Sequence, residues 1–166
     1  ACEAVITRFG RIHTVVNAAG SHIAMKFIGE LGVDEFAQVM DADVQGFFHV
    51  VHAVLPHMRA KGGSFVTIGT TGLNRWPNRD GLSVIPKAAN QAIITGIARE
   101  EGRNGIRANS VQLGLIDAGL FRKLQGEFYD QRYIDAAIKN SALKRLGTAE
   151  EVAEAVLFFA SHRARF

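Results

Sequence analysis

A serine and a lysine lie four residues apart in the segment GLSVIPKAANQAI, residues 81–93. Residues at this spacing share one face of a helix, so the Ser83 hydroxyl and the Lys87 ammonium can approach each other. A lysine so placed can activate a serine as a nucleophile, but no oxyanion-hole motif accompanies this pair. A cation in the opening turn of a helix also opposes the helix macrodipole, which indicates a separate role for Lys87.

Both residues have structural interpretations as well. Ser83 can be the N-cap of the helix, because its oxygen can accept the backbone N–H of Ile85. Pro86 then falls in the first turn, where backbone N–H groups are unpaired, and it costs no hydrogen bond. Lys87 can be an ordinary solvated lysine on the surface. The segment alone leaves these alternatives open.

Three short segments have the apolar, β-branched composition of buried parallel strands. They are RIHTVVNAAG at residues 11–20, GGSFVTIGT at residues 62–70 and IRANSVQLG at residues 106–114. Their alternation with helical segments predicts an α/β fold with a parallel sheet and right-handed crossovers. The first strand is hydrophobic enough for the middle of a sheet, so its open side should be covered by a missing segment or a partner chain.

The helical segments differ in their patterns. Apolar residues recur every three or four positions over residues 33–58, which predicts one long helix that Pro56 kinks or frays. Residues 85–101 are small and aliphatic on all sides, which predicts a helix buried on more than one side. Residues 149–161 should form a helix with Thr148 as its N-cap and Glu151 at the capping-box position. Residues 1–10 indicate the end of a helix closed by Gly10.

Composition excludes several classes of protein. The chain has 166 residues, of which 48% are hydrophobic and 21% are charged, as in one globular domain with a cytoplasmic address. No apolar run could cross a bilayer, and the basic residues behind the net charge of +3 are scattered, so we expect neither membrane nor nucleic-acid binding. Cys2 is alone, and no carboxylate completes a ligand set with His49, His52 and His57, so we expect no metal site.

Several of these segments, in this order, resemble short-chain dehydrogenases/reductases. FGRIHTVVNAAG is similar to the family's fourth strand and its Asn-Asn-Ala-Gly loop, and GGSFVTIGT to the strand that carries the catalytic serine. IRANSVQLGLI is similar to the strand before the Pro-Gly loop, and KRLGTAEEVAEAVLFFAS to the C-terminal helix. The resemblance implies a doubly wound, Rossmann-like parallel sheet. It also implies hydride transfer between NAD(P) and an alcohol or ketone by a homodimer or homotetramer.

The family's catalytic Asn, Ser, Tyr and Lys correspond to Asp43, Thr70, Ser83 and Lys87, separated by 27, 13 and 4 residues. In the family the lysine binds the nicotinamide ribose and lowers the pKa of the tyrosine, which then serves as general acid or base. Ser83 cannot inherit that role, because an aliphatic alcohol is shorter and much less acidic than a phenol. We therefore expect impaired proton chemistry at this position.

Asp43 and Thr70 each keep two interpretations. Asp43 falls on the apolar stripe of the long helix, where a carboxylate needs a partner such as Lys87, or it faces solvent at the helix flank. Thr70 can hold a substrate carbonyl through its hydroxyl, or its side chain can bond to nearby backbone at the strand end.

The resemblance also implies a set of cofactor-binding positions. Two residues of the family's motif differ here. Leu113 replaces the proline of the Pro-Gly pair, and Ala118 replaces the threonine that follows it. No Gly-x-Gly-x-x-Gly occurs in the chain, so it resembles the family without the first βαβαβ half and should bind a dinucleotide weakly by itself. The choice between NAD and NADP stays open. The implied positions are Asn17, Ala18, Ala19, Gly20, Lys87, Gly114 and Ile116.

Two functions follow from these observations. The first is an oxidoreductase with an altered catalytic set, in which Thr70 and Lys87 act with a water or with a tyrosine of the substrate lid. The second is a non-catalytic subunit that keeps the fold for assembly or binding. The lid corresponds to residues 120–140, and its aromatic residues favour an apolar or ring-bearing substrate. These aromatic residues are Phe121, Phe128, Tyr129 and Tyr133.

Overall fold

A three-stranded parallel sheet carries the helices of the computed structural model, which describes residues 1–126 and 129–166. The strands are β1 (Thr14–Asn17), β2 (Gly63–Thr70) and β3 (Ile106–Leu113). The helices are α1 (Cys2–Phe9), α2 (Val33–Met40), α3 (Gly46–Met58), α4 (Gly81–Glu101), α5 (Gly119–Leu124), α6 (Gln131–Asn140) and α7 (Ala149–Ala160). The predicted α/β fold with a parallel sheet is confirmed.

The strands are ordered β1-β2-β3, and each neighbouring pair is parallel. In the register, Asn17 lies opposite Thr67 and Thr70 lies opposite Leu113. Because the strands are parallel, the loops that leave their carboxyl ends meet at one edge of the sheet. β1 lies at the edge of the described sheet, and Val16 on this strand is 47% exposed.

The main core lies between the sheet and the helices α3 and α4. Met58 and Phe65 are both fully buried there, and Ile106 is 1% exposed. The apolar residues of α3 recur every three or four positions, so they form one face against the sheet. The buried core residues are Phe47, Val51, Val54, Met58, Phe65, Ile94, Ile97 and Ile106.

The predicted single helix over residues 33–58 is interrupted by a π-helical turn, Asp41–Gln45. The N–H of Gly46 bonds to the carbonyl of Asp41, five residues back, so the turn holds one residue more than an α-helix would. Within this turn, the carbonyl of Asp43 accepts a hydrogen bond from the Asn90 side chain of α4, at 3.1 Å. The spacing of the apolar residues predicted that these residues are helical. It could not predict the π-helical turn, because that turn is bonded to the Asn90 side chain of another helix.

Helix α4 also differs from its prediction, because it begins at Gly81 rather than near Ile85. Ser83 is therefore inside the helix and is not its N-cap, a position that Asp80 occupies without a side-chain capping bond. Lys87 lies in the second turn. The helix buries one face, whereas Ala88 and Ala92 on another face are exposed, so the prediction of burial on more than one side is wrong for this chain.

Both predicted helix ends with a clear local signal are confirmed. Thr148 caps α7 by accepting the N–H of Glu151, and the Glu151 carboxylate accepts the N–H of Thr148. Gly10 ends α1 in a left-handed conformation with a φ of 77°. These ends could be predicted because each capping residue bonds to a residue no more than four positions away in the sequence.

No helix in residues 1–126 and 129–166 is long and apolar enough to cross a membrane. In the same residues, no three or more His, Cys, Asp or Glu side chains are grouped so that they could hold a metal ion.

The turn before β2 allows a direct test of backbone crowding between β2 and β3. Gly62 has a φ of 66°, and a Cβ at this position would lie 2.7 Å from the carbonyl oxygen of Gly105. Gly105 has a similar φ of 69°, but its Cβ would meet only the Gly62 Cα at 3.8 Å. We expect Gly62→Ala to lower the free energy of unfolding by about 1 to 2 kcal/mol more than Gly105→Ala, in chemical denaturation. Equal losses would contradict this explanation.

Candidate active site

A cleft of about 370 Å³ opens at the carboxyl ends of the strands. Its walls come from the loop after β1, the end of β2, the first turns of α4, the loop after β3 and the lid. Parallel α/β sheets bind their ligands at this edge, because the loops leave a crevice there. Of the positions proposed from sequence, the cleft is lined by Ala18, Ala19, Gly20, Thr70, Ser83, Lys87, Gly114 and Ile116.

The predicted approach of Ser83 and Lys87 is confirmed. The Lys87 Nζ donates a hydrogen bond of 3.2 Å to the Ser83 Oγ across one turn of α4. Both residues are half-buried and line the cleft. The ammonium therefore occupies one lone pair of the serine oxygen, and the hydroxyl hydrogen remains free to point elsewhere.

Thr70 lies at the end of β2 on the wall of the same cleft. Its Oγ1 accepts the backbone N–H of Gly72 at 3.1 Å, which is the structural interpretation that the sequence left open. This bond does not use the hydroxyl hydrogen, because a hydroxyl can accept and donate at the same time. Thr70 can therefore still donate to a substrate oxygen in the cleft.

Asp43 and Asn17 do not line the cleft with the other predicted residues. The Asp43 carboxylate accepts the hydroxyl of Ser21 at 2.6 Å and its backbone N–H at 3.2 Å. The carboxylate is thus paired with Ser21 and not with Lys87. The Asn17 amide donates to Thr67 at 3.4 Å and accepts the N–H of Ala19 at 3.4 Å, so it shapes the loop after β1.

The cofactor positions in the cleft fit the nicotinamide end of a dinucleotide. Ala18, Ala19 and Gly20 give the loop after β1 small side chains, which leave its backbone accessible. A Cβ on Gly114 would meet no atom within 4 Å, so the loop after β3 faces open space. Lys87 places an ammonium group, which can donate hydrogen bonds to hydroxyl oxygens, in the same cleft.

Asp80 is a cleft residue that the sequence analysis missed. It lines the cleft together with Ser83 and Lys87. Burial raises the pKa of Asp80 to about 6, although the Lys87 charge and a hydrogen bond from Ser83 both lower it. The sequence spacing could have indicated Asp80, because it precedes Ser83 by three residues and so lies on the same helix face. Its burial depends on the tertiary fold and could not be predicted from the local sequence.

Tyr129 brings an aromatic ring from the lid into the cleft. Its ring stacks on Phe121 with centroids 5.4 Å apart and on Tyr133 at 4.8 Å. Burial, with the nearby charges of Asp80 and Tyr133, raises the pKa of Tyr129 to about 12. Tyr129 therefore stays protonated near neutral pH, which argues against its acting as the missing base. Phe128 lies outside the described residues.

The chain is similar to several known dehydrogenases and reductases. The family model described as "Enoyl-(Acyl carrier protein) reductase" matches residues 1–166. L-fucose dehydrogenase of Mus musculus is 29% identical over 157 residues, which cover 94% of this chain and 58% of that protein. 2-(R)-hydroxypropyl-CoM dehydrogenase of Xanthobacter autotrophicus is 32% identical over 172 residues, covering 100% of this chain and 66% of that protein.

A solved structure shows the same arrangement of the chain. A gluconate 5-dehydrogenase from Burkholderia cenocepacia, in complex with NADP and tartrate, matches with a TM-score of 0.90 and 26% identity. The match covers 100% of this chain and 64% of that chain. The present chain spans 55% to 58% of the length of the L-fucose dehydrogenases that it matches.

The raised pKa of Asp80 predicts a pH-dependent change in stability. The folded state favours the protonated carboxyl, so this group's contribution to stability is full below pH about 3.8 and is lost as pH rises through about 6. Asp80→Asn has no charge to bury. We expect it to raise the free energy of unfolding at pH 8 by about 1 to 3 kcal/mol, and much less at pH 4.

The control for this measurement is Asp117→Asn. Arg122 lowers the pKa of Asp117 through a hydrogen bond, so removing that carboxylate should lower the stability at pH 8 or leave it unchanged. Denaturant titrations from pH 4 to pH 8 would follow both variants. An Asp80→Asn protein that is less stable than the wild type at pH 8 would contradict the burial of a charge at this position.

Proposed function

The chain belongs to the short-chain dehydrogenase/reductase family, and from this premise we propose that it acts in hydride transfer between NAD or NADP and an alcohol or ketone. The observation that carries this proposal is the convergence of Thr70, Ser83 and Lys87 with the small residues of two loops on one cleft. In a hydride transfer of this kind, the protein supplies binding, orientation and a route for one proton.

The residues of the cleft divide this work between them. Lys87 would hold the ribose next to the nicotinamide, which supplies or accepts the hydride when the cofactor is bound. Thr70 would donate its free hydroxyl hydrogen to the substrate oxygen and orient the reacting carbon. Gly20 and Gly114, which carry no side chains, would let the loops approach the flat ring closely. The cleft residues recognise features that NAD and NADP share, so we propose the cofactor only as this pair.

The lid contributes the substrate side of the cleft. Phe121 and Tyr129 line it with stacked aromatic rings, and Leu120 and Val152 add apolar surface. These contacts favour an apolar or ring-bearing alcohol or ketone as substrate. The hydroxyl or carbonyl of such a substrate would face Thr70 and Ser83, which both carry hydroxyl groups and line the same cleft.

We further propose that the protein forms a homodimer or homotetramer in the cytoplasm. The outer faces of α3 and α4 support this proposal, because Phe48 and Val50 are 53% and 44% exposed. Ala88 and Ala92 on α4 are exposed as well and allow close approach of another helix. An assembled form would bury these residues, as homo-oligomer interfaces usually do.

A non-catalytic assembly subunit is the second candidate function. The observation that favours it is Ser83, because the alcohol cannot hold the proton that the family's phenol holds. The two candidates differ in one measurable property, which is turnover. A folded, oligomeric protein without activity on a broad panel of alcohols and ketones would favour the assembly function.

Lys87 provides the test of the proposed activity. We expect Lys87→Met to weaken binding of reduced dinucleotide, and to lower kcat/KM for an apolar alcohol at least about 100-fold, because the variant loses both the ribose donor and the charge beside Ser83. Cofactor fluorescence and absorbance would report the two effects on the protein in its natural full length.

The matched control is Lys61→Met, which removes an exposed lysine near the amino end of β2, at the opposite edge of the sheet from the cleft. It should bind cofactor and turn over substrate at the wild-type level. A Lys87→Met protein that matches this control would show that the cleft is not the site of hydride transfer.

A further inference from the structure

Oxidation of an alcohol releases a proton as well as a hydride, and the cleft must hold that proton. The Ser83 hydroxyl can pass a proton on, but it is far too weak an acid to lose one near neutral pH. Tyr129 cannot accept a proton, since its pKa of about 12 keeps the phenol protonated. Among the described residues that line the cleft, Asp80 carries the carboxyl group, and Lys87 carries the ammonium.

Asp80, Ser83 and Lys87 form a line along the first two turns of α4. The Lys87 ammonium donates to the Ser83 Oγ at 3.2 Å. Asp80, three residues before Ser83, lines the same cleft, and a hydrogen bond from the serine lowers the pKa of its carboxyl group. Asp80 does not cap the helix with its side chain, although it occupies the N-cap position. Its carboxyl group is therefore available to the serine, and the second lone pair of Ser83 is available to a substrate hydroxyl.

We propose that Asp80 holds the substrate proton and receives it through the Ser83 hydroxyl, an inference that rests on the proposed hydride-transfer function. As the substrate O–H bond breaks, its proton bonds to Ser83 Oγ, and the proton of Ser83 moves to the Asp80 carboxylate. The electrons of the O–H bond form the carbonyl. The carbinol C–H electron pair would leave with its hydrogen as hydride, which oxidised NAD or NADP bound in the cleft would accept. Reduction of a ketone runs through the same atoms in reverse.

The surroundings of Asp80 suit a group that exchanges protons near neutral pH. Burial raises the pKa of Asp80 and the Lys87 charge lowers it, and the resulting pKa is about 6. General acids and bases work best when their pKa lies close to the working pH. A surface aspartate, with a pKa near 4, would hold a proton too weakly for this purpose.

Other charged and titratable groups face Asp80 from neighbouring elements. Tyr129 and Tyr133 face it from the lid, and burial raises the pKa of both phenols, so both stay neutral. Residue 26 pairs with residue 80 through the backbone, but the Lys26 ammonium is held by Glu35 at 2.8 Å. Arg79 places its guanidinium over Phe27, 4.8 Å from the ring centre. Lys87 is thus the cation that acts on Asp80.

The coupling of the three groups can be measured without cofactor or turnover. In the full-length protein with ¹³C-labelled aspartate carboxyl groups, we expect the Asp80 signal to titrate near pH 6. Ser83→Ala and Lys87→Met should each raise its pKa, because each removes a group that lowers it. An Asp80 pKa in the ordinary range, or one that neither variant moves, would overturn the relay.

Turnover then tests whether the relay is used. For alcohol oxidation, kcat/KM of the wild type should rise with pH and level off above pH about 6, as Asp80 ionises. In Asp80→Asn, we expect kcat/KM to lose this rise with pH and to be lower at pH 8 by about 100-fold or more, while cofactor affinity stays unchanged. Asp80→Glu should recover part of the rate, because it restores a carboxyl group. Asp34→Asn, at an exposed position of α2, is the control for loss of a carboxylate.

The outcomes separate the two proposals. If the wild type turns over substrate and Asp80→Asn keeps its rate and pH profile, the relay is overturned while hydride transfer stands. If the wild type binds cofactor but shows no turnover, the proposed function fails and the proposed use of the relay fails with it. Loss of rate in both Asp80→Asn and Asp34→Asn would also overturn the relay, because the effect would not be specific to the cleft.

Discussion

The bond between an ammonium and an alcohol, one helical turn apart, sets the chemistry available to this cleft. In the family that the chain belongs to, a lysine at this distance makes a phenol acidic enough to exchange protons. The phenol is within reach of neutral pH because its ordinary pKa is about 10, whereas an aliphatic alcohol starts far above that value. With Ser83 beside Lys87, the cleft keeps the cation and the hydroxyl but needs another group to hold the proton.

The fold brings such a group to the serine. The parallel register directs the loops after β1, β2 and β3 to one edge of the sheet, where α4 begins. Because α4 starts at Gly81, its first two turns carry Asp80, Ser83 and Lys87 past the cleft in sequence. Asp80 shares the cleft with Phe121 and Tyr129 of the lid, and burial raises the pKa of its carboxyl group. The proposed proton chemistry thus depends on where α4 begins and on the burial of Asp80.

The sequence predicted the parts of this structure whose causes are local. The three strands, the Gly10 helix end and the Thr148 capping box were all visible, because apolar runs and capping residues act within a few positions. The start of α4 was missed, since Ser83 followed by Pro86 is an equally good local signal for a helix N-terminus. Asp80 was missed for another reason. Its pKa comes from tertiary burial, and nothing in the segment shows what covers it.

Beside Lys87, either a carboxyl group or a phenol should be able to hold the substrate proton. The most direct measurement is the rate of alcohol oxidation by the double variant Ser83→Tyr/Asp80→Asn, compared with Asp80→Asn alone. If the claim holds, the phenol restores turnover near neutral pH to the variant that has lost its carboxylate. A double variant that binds cofactor as tightly as the wild type, yet remains as slow as Asp80→Asn, would contradict it.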